Sequence, residues 1–267
     1  MTLVAGRSLT FIVVLTVARV VSAGEGRIVY FDPDANHQAI VNTISLFNDF
    51  LNEANLGLVF QPVSTASSLH DLVAGNQAEF AILSANVLRN SKSLNLAPIL
   101  VPSSGGDIYY RKSLVDAGGG TPDDLEGKGV AVTVSGGDTA SAAQQILEGL
   151  RNAGHHVKSI SVIPVSKDVD ALLALSFGQV AAALVTDKSV EVLKRINPSA
   201  AAGLRTIFQT QPILRSPLCS VGAVSIARKK QLSDAFKKMA ASRAGGRAMQ
   251  TMGFDQWTDF EGRMLTK

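Results

Sequence analysis

Leu72-Val73-Ala74-Gly75-Asn76-Gln77-Ala78-Glu79-Phe80-Ala81-Ile82-Leu83-Ser84 reads as a helix end, a tight turn and a buried strand. Ala174-Leu175-Ser176-Phe177-Gly178-Gln179-Val180-Ala181-Ala182-Ala183-Leu184-Val185-Thr186 repeats that arrangement with a glutamine in register. Two α/β units built to one plan predict two lobes within one chain.

The surroundings of both stretches agree. Residues 27–31 are a short β-branched and aromatic run, a strand that Asp32-Pro33-Asp34 breaks. Ile40, Ile44, Phe47, Phe50 and Leu51 recur at helical spacing, 58–63 is a second strand, and Leu69 with Leu72 marks the helix before the strand at 80–83. Alternation with short polar connections predicts a parallel sheet covered by helices. After the break at Gly118-Gly119-Gly120, Thr121-Pro122-Asp123-Asp124-Leu125 reads as an N-cap with proline at the first helical position, and strands at 129–134, 159–165 and 181–185 alternate with helices at 139–152, 168–177 and 188–196. Crossover strands are expected at 107–111 and 220–227. Lobe one is then 24–107 with 225–267 returning to it, and lobe two is 108–224.

Composition narrows the class. The 267 residues suffice for two modest domains, and 46% hydrophobic with 18% charged residues describes a globular protein. Arg7, the apolar run from Leu9 to Val17 and the small residues Val21-Ser22-Ala23 predict a signal peptide over 1–23. That run is too short for an anchor of roughly 20 residues; a buried first helix is the rival reading. Cleavage removes Arg7 and Arg19 and no acid, so the formal charge of +3 falls to +1. Such a near-neutral protein has no electrostatic case for nucleic acid or a membrane surface. We expect a soluble periplasmic monomer.

Cys219 is the only cysteine, which excludes an internal disulfide and a cysteine metal cluster; among Ile213, Leu214 and Val221 it reads as a core residue. The histidines, His37, His70, His155 and His156, have no metal-ligand spacing, and neither HExxH nor GxSxG occurs. No cofactor, metal or catalytic residue is expected. His37 follows the first strand tip, where parallel sheets bind ligands, although a solvated helix start is the stronger reading. Arg215 lies just before the second expected crossover, placed for a charge-assisted bond to an anion or for solvent. Tyr109 and Arg111 share one face of the first crossover and Tyr110 the other.

The Gln77 and Gln179 turns, the stretch Thr121-Pro122-Asp123-Asp124-Leu125 leading through Gly127-Lys128 to an apolar strand, and the small-residue loop 135–141 at a helix start are distinctive together. They resemble the periplasmic solute-binding components of ABC importers, in the phosphate/phosphite/phosphonate-binding branch. The resemblance implies a two-lobed periplasmic binding protein-like fold of type II, hinged on two crossover strands, a small oxyanion ligand and an ABC permease as partner. It also implies that Thr139, Ala140 and Ser141 match a Ser-Thr-Ser triplet that holds the oxyanion, and that Asp187 matches an acid that holds an amine. Independently, a helix start offers unpaired N–H groups and the positive dipole end, though Asp138 or Thr139 serving only as a cap is the plain alternative. Loops near Asp32 and Ser84 are expected to form the opposite wall.

Several residues depart from the family pattern. Ala140 lacks the middle hydroxyl, Asp138 adds a negative charge, Ser216 replaces an acid, and Asn86-Val87 replaces an aromatic. These departures point away from aminoalkylphosphonates and leave phosphate, phosphite, another oxyanion or another small polar solute. A ligand-binding partner of a membrane sensor kinase is the alternative function, and an extracytoplasmic enzyme a third.

Overall fold

The computed structural model describes residues 26–32, 37–133, 139–165 and 167–265. Residues 1–23, read above as a signal peptide, Pro33-Asp34, and residues 134–138 with Asp138 lie outside them. The first unit comprises β1 (Gly26–Phe31), α1 (His37–Glu53), β2 (Leu58–Pro62), α2 (Ala66–Ala74), β3 (Phe80–Leu83), α3 (Ala85–Asn90) and β4 (Leu96–Ser103). After β5 (Tyr109–Tyr110) come β6 (Lys112–Asp116), β7 (Gly129–Thr133), α4 (Thr139–Asn152), β8 (Ser161–Val165), α5 (Asp168–Ser176), β9 (Ala182–Thr186), α6 (Asp187–Ile196), α7 (Pro198–Ala201) and β10 (Arg205–Gln209). The chain ends through β11 (Ile213–Leu214), β12 (Leu218–Val221), α8 (Ile226–Lys237), α9 (Arg243–Met252) and β13 (Gln256–Asp259).

These strands form a six-stranded sheet in the order β13-β4-β12-β3-β1-β2, a five-stranded sheet in the order β10-β6-β9-β7-β8, and a two-stranded ribbon β11-β5. Each large sheet is covered on both faces. In β1, Ile28 and Tyr30 join Phe47 of α1, while Val29 and Phe31 face Leu69 and Val73 of α2. In β7, Val130 and Val132 meet Ile146 and Leu150 of α4, while Ala131 meets Leu172 and Leu175 of α5. The C-terminal segment completes the first core: Phe47 stacks on Phe60 at 4.2 Å, and Trp257 of β13 meets Phe236 of α8 at 5.3 Å.

The internal repeat is one of geometry as well as sequence. Adding 102 to a residue number in the first unit gives its counterpart in the second. Ile28 pairs with Phe80 as Val130 pairs with Ala182, and Arg27 with Val59 as Gly129 with Ser161. The turn follows the same rule: Gln77 N–H donates to Leu72 O, and Gln179 N–H to Ala174 O, both at 2.9 Å. Asn76 and Gly178 both take positive φ there, 52° and 67°, which Asn and Gly tolerate best.

Two expectations change. The sheets are mixed, not parallel: β12 runs antiparallel to β3 and β4, and β13 to β4. The second crossover is β11, which pairs with β5, and not 220–227. Strand β12 already belongs to the six-stranded sheet because it carries core residues for both faces, Leu218 for one and Val221 for the other. The chain therefore rejoins the first sheet at Leu218, ahead of residue 225.

Candidate functional site

The carboxyl ends of the parallel strands in the two sheets face one another across a cleft of about 870 Å³, with the β5–β11 ribbon along it. This is where open α/β sheets place ligands. Asp32 follows β1, Thr133 closes β7 and Thr186 closes β9; all three line the cleft.

The repeat explains why the second lobe supplies most of the polar lining. In the first unit, Thr65 Oγ1 accepts from Ser68 N–H at 3.1 Å and caps α2, and Ser84 Oγ accepts from Val87 N–H at 3.3 Å and caps α3. Their counterparts, 102 residues on, are Lys167 and Thr186, and neither caps its helix with its side chain. Both are turned to the cleft.

Asp168 organises that wall. Its Oδ1 accepts from Thr133 Oγ1 at 2.7 Å. Its Oδ2 accepts from Thr186 N–H at 2.8 Å, Thr186 Oγ1 at 2.8 Å and Ser189 Oγ at 2.9 Å. One carboxylate thus ties the ends of β7 and β9 to the starts of α5 and α6. As the first residue of α5 it also lies at the favourable end of the helix dipole.

Among the described residues four carboxylates and four cations line the cleft, but they are not equally engaged. Asp32 accepts from Ser216 Oγ, Asp187 from Ser113 Oγ and from Gln209 Nε2 at 3.3 Å, and Asp107 Oδ1 from Tyr109 N–H at 2.8 Å. Arg215 Nε donates to Asp107 O at 3.3 Å, and its guanidinium lies over the Tyr110 ring, 5.7 Å from the centroid. Burial lowers the Arg215 pKa below its ordinary value, partly offset by Tyr110 and the acids Asp107 and Asp255. Arg111, Lys167 and Lys188 are exposed in the cleft, and none makes an ion pair with an acid among the described residues. Lys188 reaches toward the first lobe: its Nζ lies 4.0 Å from where a Cβ on Gly253 would be, at the C-terminal end of α9.

Of the residues expected from the sequence, Asp32, Tyr109, Asp187 and Arg215 line the cleft. Tyr109 also anchors the C-terminus, its hydroxyl donating to Met264 O at 3.1 Å. Ser84 is buried, caps α3 and is not part of the lining. Thr139 and Ser141 begin α4, and neither lines this cleft. His37 is the first residue of α1, and its side chain lies outside the described residues. Sequence reasoning passed over Lys167, Asp168, Thr186 and Ser189. The 102-residue offset was their one available signal, since it puts Lys167 and Thr186 at capping positions. Among the described residues no group of three or more His, Cys, Asp or Glu side chains is arranged for a metal ion.

The model of the family described as the periplasmic substrate-binding protein of a phosphonate ABC transporter matches residues 29–264, both units and the returning tail. The chain belongs to that family. It is a periplasmic substrate-binding protein of the phosphonate class, whose members bind a small molecule and work with an ABC transporter. Among solved structures, a binding-protein component of a phosphonate ABC transporter from Pseudomonas aeruginosa is 14% identical, with a TM-score of 0.66 over 90% of this chain and 83% of that one. PhnD1 from Prochlorococcus marinus, solved with methylphosphonate, is 11% identical, with a TM-score of 0.66 over 91% and 94%. Likeness at such identity speaks to the two-lobed fold alone. No curated protein matches the sequence. No helix among the described residues is long and apolar enough to cross a membrane.

Proposed function

We propose that the cleft captures a phosphorus oxyanion, held by Lys167, Lys188 and Arg111, and that the two lobes close over it to present it to an ABC permease. The observation that carries this reading is the imbalance of engagement. Among the described residues every lining carboxylate accepts a hydrogen bond from the chain, whereas three lining cations have no acid partner. Charge-assisted bonds to an oxyanion supply what those cations lack. The fold supports closure because the lobes are joined at the β5–β11 ribbon and Lys188 of the second lobe reaches toward Gly253 of the first. The protein acts on this reading as a monomeric binding component and not as an enzyme, exported after loss of residues 1–23. Lobe one comprises 24–107 with the C-terminal return, which begins at Leu218.

A thermal-shift panel with phosphate, phosphite, methylphosphonate and sulfate tests it. A ligand at a hundred times its Kd stabilises the folded form by about 2.7 kcal/mol. At least one phosphorus oxyanion raises Tm, and Lys167→Ala and Lys188→Ala each diminish the rise. No shift from any of the anions, or shifts untouched by both substitutions, rejects the proposal.

A further inference from the structure

The two walls of the cleft differ in chemistry. The second-lobe wall is polar, built from Thr133, Lys167, Asp168, Thr186, Lys188 and Ser189. The first-lobe wall sets the half-buried Met252 over the buried Tyr30, Ile40, Pro102, Phe254 and Trp257, with Asp32, Gln250 and Thr251 beside them. That apolar wall is stiff: Phe254 meets Trp257 edge-on at 5.1 Å, Trp257 meets Phe236 edge-on at 5.3 Å behind it, and β13 pins Trp257 opposite Pro102. An inorganic oxyanion engages cations and donors and gains nothing from such a surface.

We propose that the ligand is amphipathic: an organic phosphonate or phosphate monoester whose substituent is aromatic or comparably bulky. Its anionic head is held by the second lobe and its apolar body lies against Met252 and the edges of Phe254 and Trp257 behind it. This rests on the oxyanion reading above and adds the substituent that the first lobe selects. At about 25 cal/mol per Å², covering roughly 60 Å² of apolar surface yields a tenfold gain in affinity, about 1.4 kcal/mol.

Calorimetric titration of the full chain with inorganic phosphate, methylphosphonate and phenylphosphonate tests this. Phenylphosphonate is expected to bind at least tenfold tighter than methylphosphonate. Met252→Ala, on a half-buried side chain of that wall, is expected to narrow the ratio severalfold, with an unchanged melting curve as the control for folding. Methylphosphonate binding as tightly as phenylphosphonate, or tighter, overturns the amphipathic ligand and leaves the oxyanion reading intact. Phenylphosphonate affinity that Lys167→Ala and Lys188→Ala leave unaltered overturns both, because the head group is then not held where either reading requires. Failure of all three compounds to bind also rejects both.

Discussion

Replacing Asp168 with alanine removes the acceptor for four donors, at 2.7, 2.8, 2.8 and 2.9 Å, that join the ends of β7 and β9 to the starts of α5 and α6. Hydrogen bonds to a charged group contribute about 1.5–3 kcal/mol each. Four at the low end give about 6 kcal/mol, an upper figure. The carboxylate is half-buried, so water takes up part of what is lost, and we expect a cost of about 3 kcal/mol. For a chain of this size that lowers Tm by roughly 6–12 °C. Asp168→Asn keeps an oxygen acceptor and the shape, and its cost is expected near 1 kcal/mol. Urea unfolding followed by circular dichroism reads both. If the lobes unfold in separate transitions, only that of the second lobe moves. A cost for Asp168→Ala below about 0.5 kcal/mol, the range of an ordinary surface substitution, or an asparagine as damaging as the alanine, refutes the organising role.

Other consequences are direct. Phe47 is fully buried between Phe60, Phe50 and Phe236, so Phe47→Ala is expected to cost about 3–5 kcal/mol in urea unfolding; a cost under 1 kcal/mol contradicts the placement of α1. Burial pushes the Cys219 thiol from 9.0 up to about 12. Between those values the unfolded chain releases this proton and the folded chain keeps it, so stability from this group is complete below pH 9 and declines as pH rises toward 12. At pH 8 a thiol reagent should label the protein in urea and leave the native protein untouched; fast native labelling speaks against the buried strand β12. Because the anchors of the oxyanion are exposed cations, its affinity is expected to fall as salt rises from 0.05 to roughly 0.5 M, measured by titration, and a salt-independent Kd argues against those anchors.

The two-unit plan was legible because it is written in local signals: β-branched runs, helical spacing and the repeated glutamine turn all survive in a single sequence. Strand β4 was not legible, since Pro98 and Pro102 argue against a strand, yet they pair with Cys219 and Trp257 in the sheet. Strand β6 begins with Lys112 and ends with Asp116, residues that signal exposure, although all five of its residues are buried. The site was legible in part for the same reason. Asp32, Tyr109 and Arg215 adjoin recognisable strand tips and crossovers. The hydroxyls around Asp168 come from two separated segments, Thr133 and Thr186 with Ser189, that only the folded sheet brings to it. The helix start at Thr139 drew attention because hydroxyls at a helix tip form a local pattern; the carboxylate network leaves none.

A crystal structure of the protein grown with a saturating phosphorus oxyanion from the panel is the most direct test of where the guest is held. Its oxygen atoms are expected within hydrogen-bond distance of Lys167 and Lys188, between the two large sheets. Density for the anion only on the outer surface, or enclosed within one lobe and touching neither lysine, would contradict it.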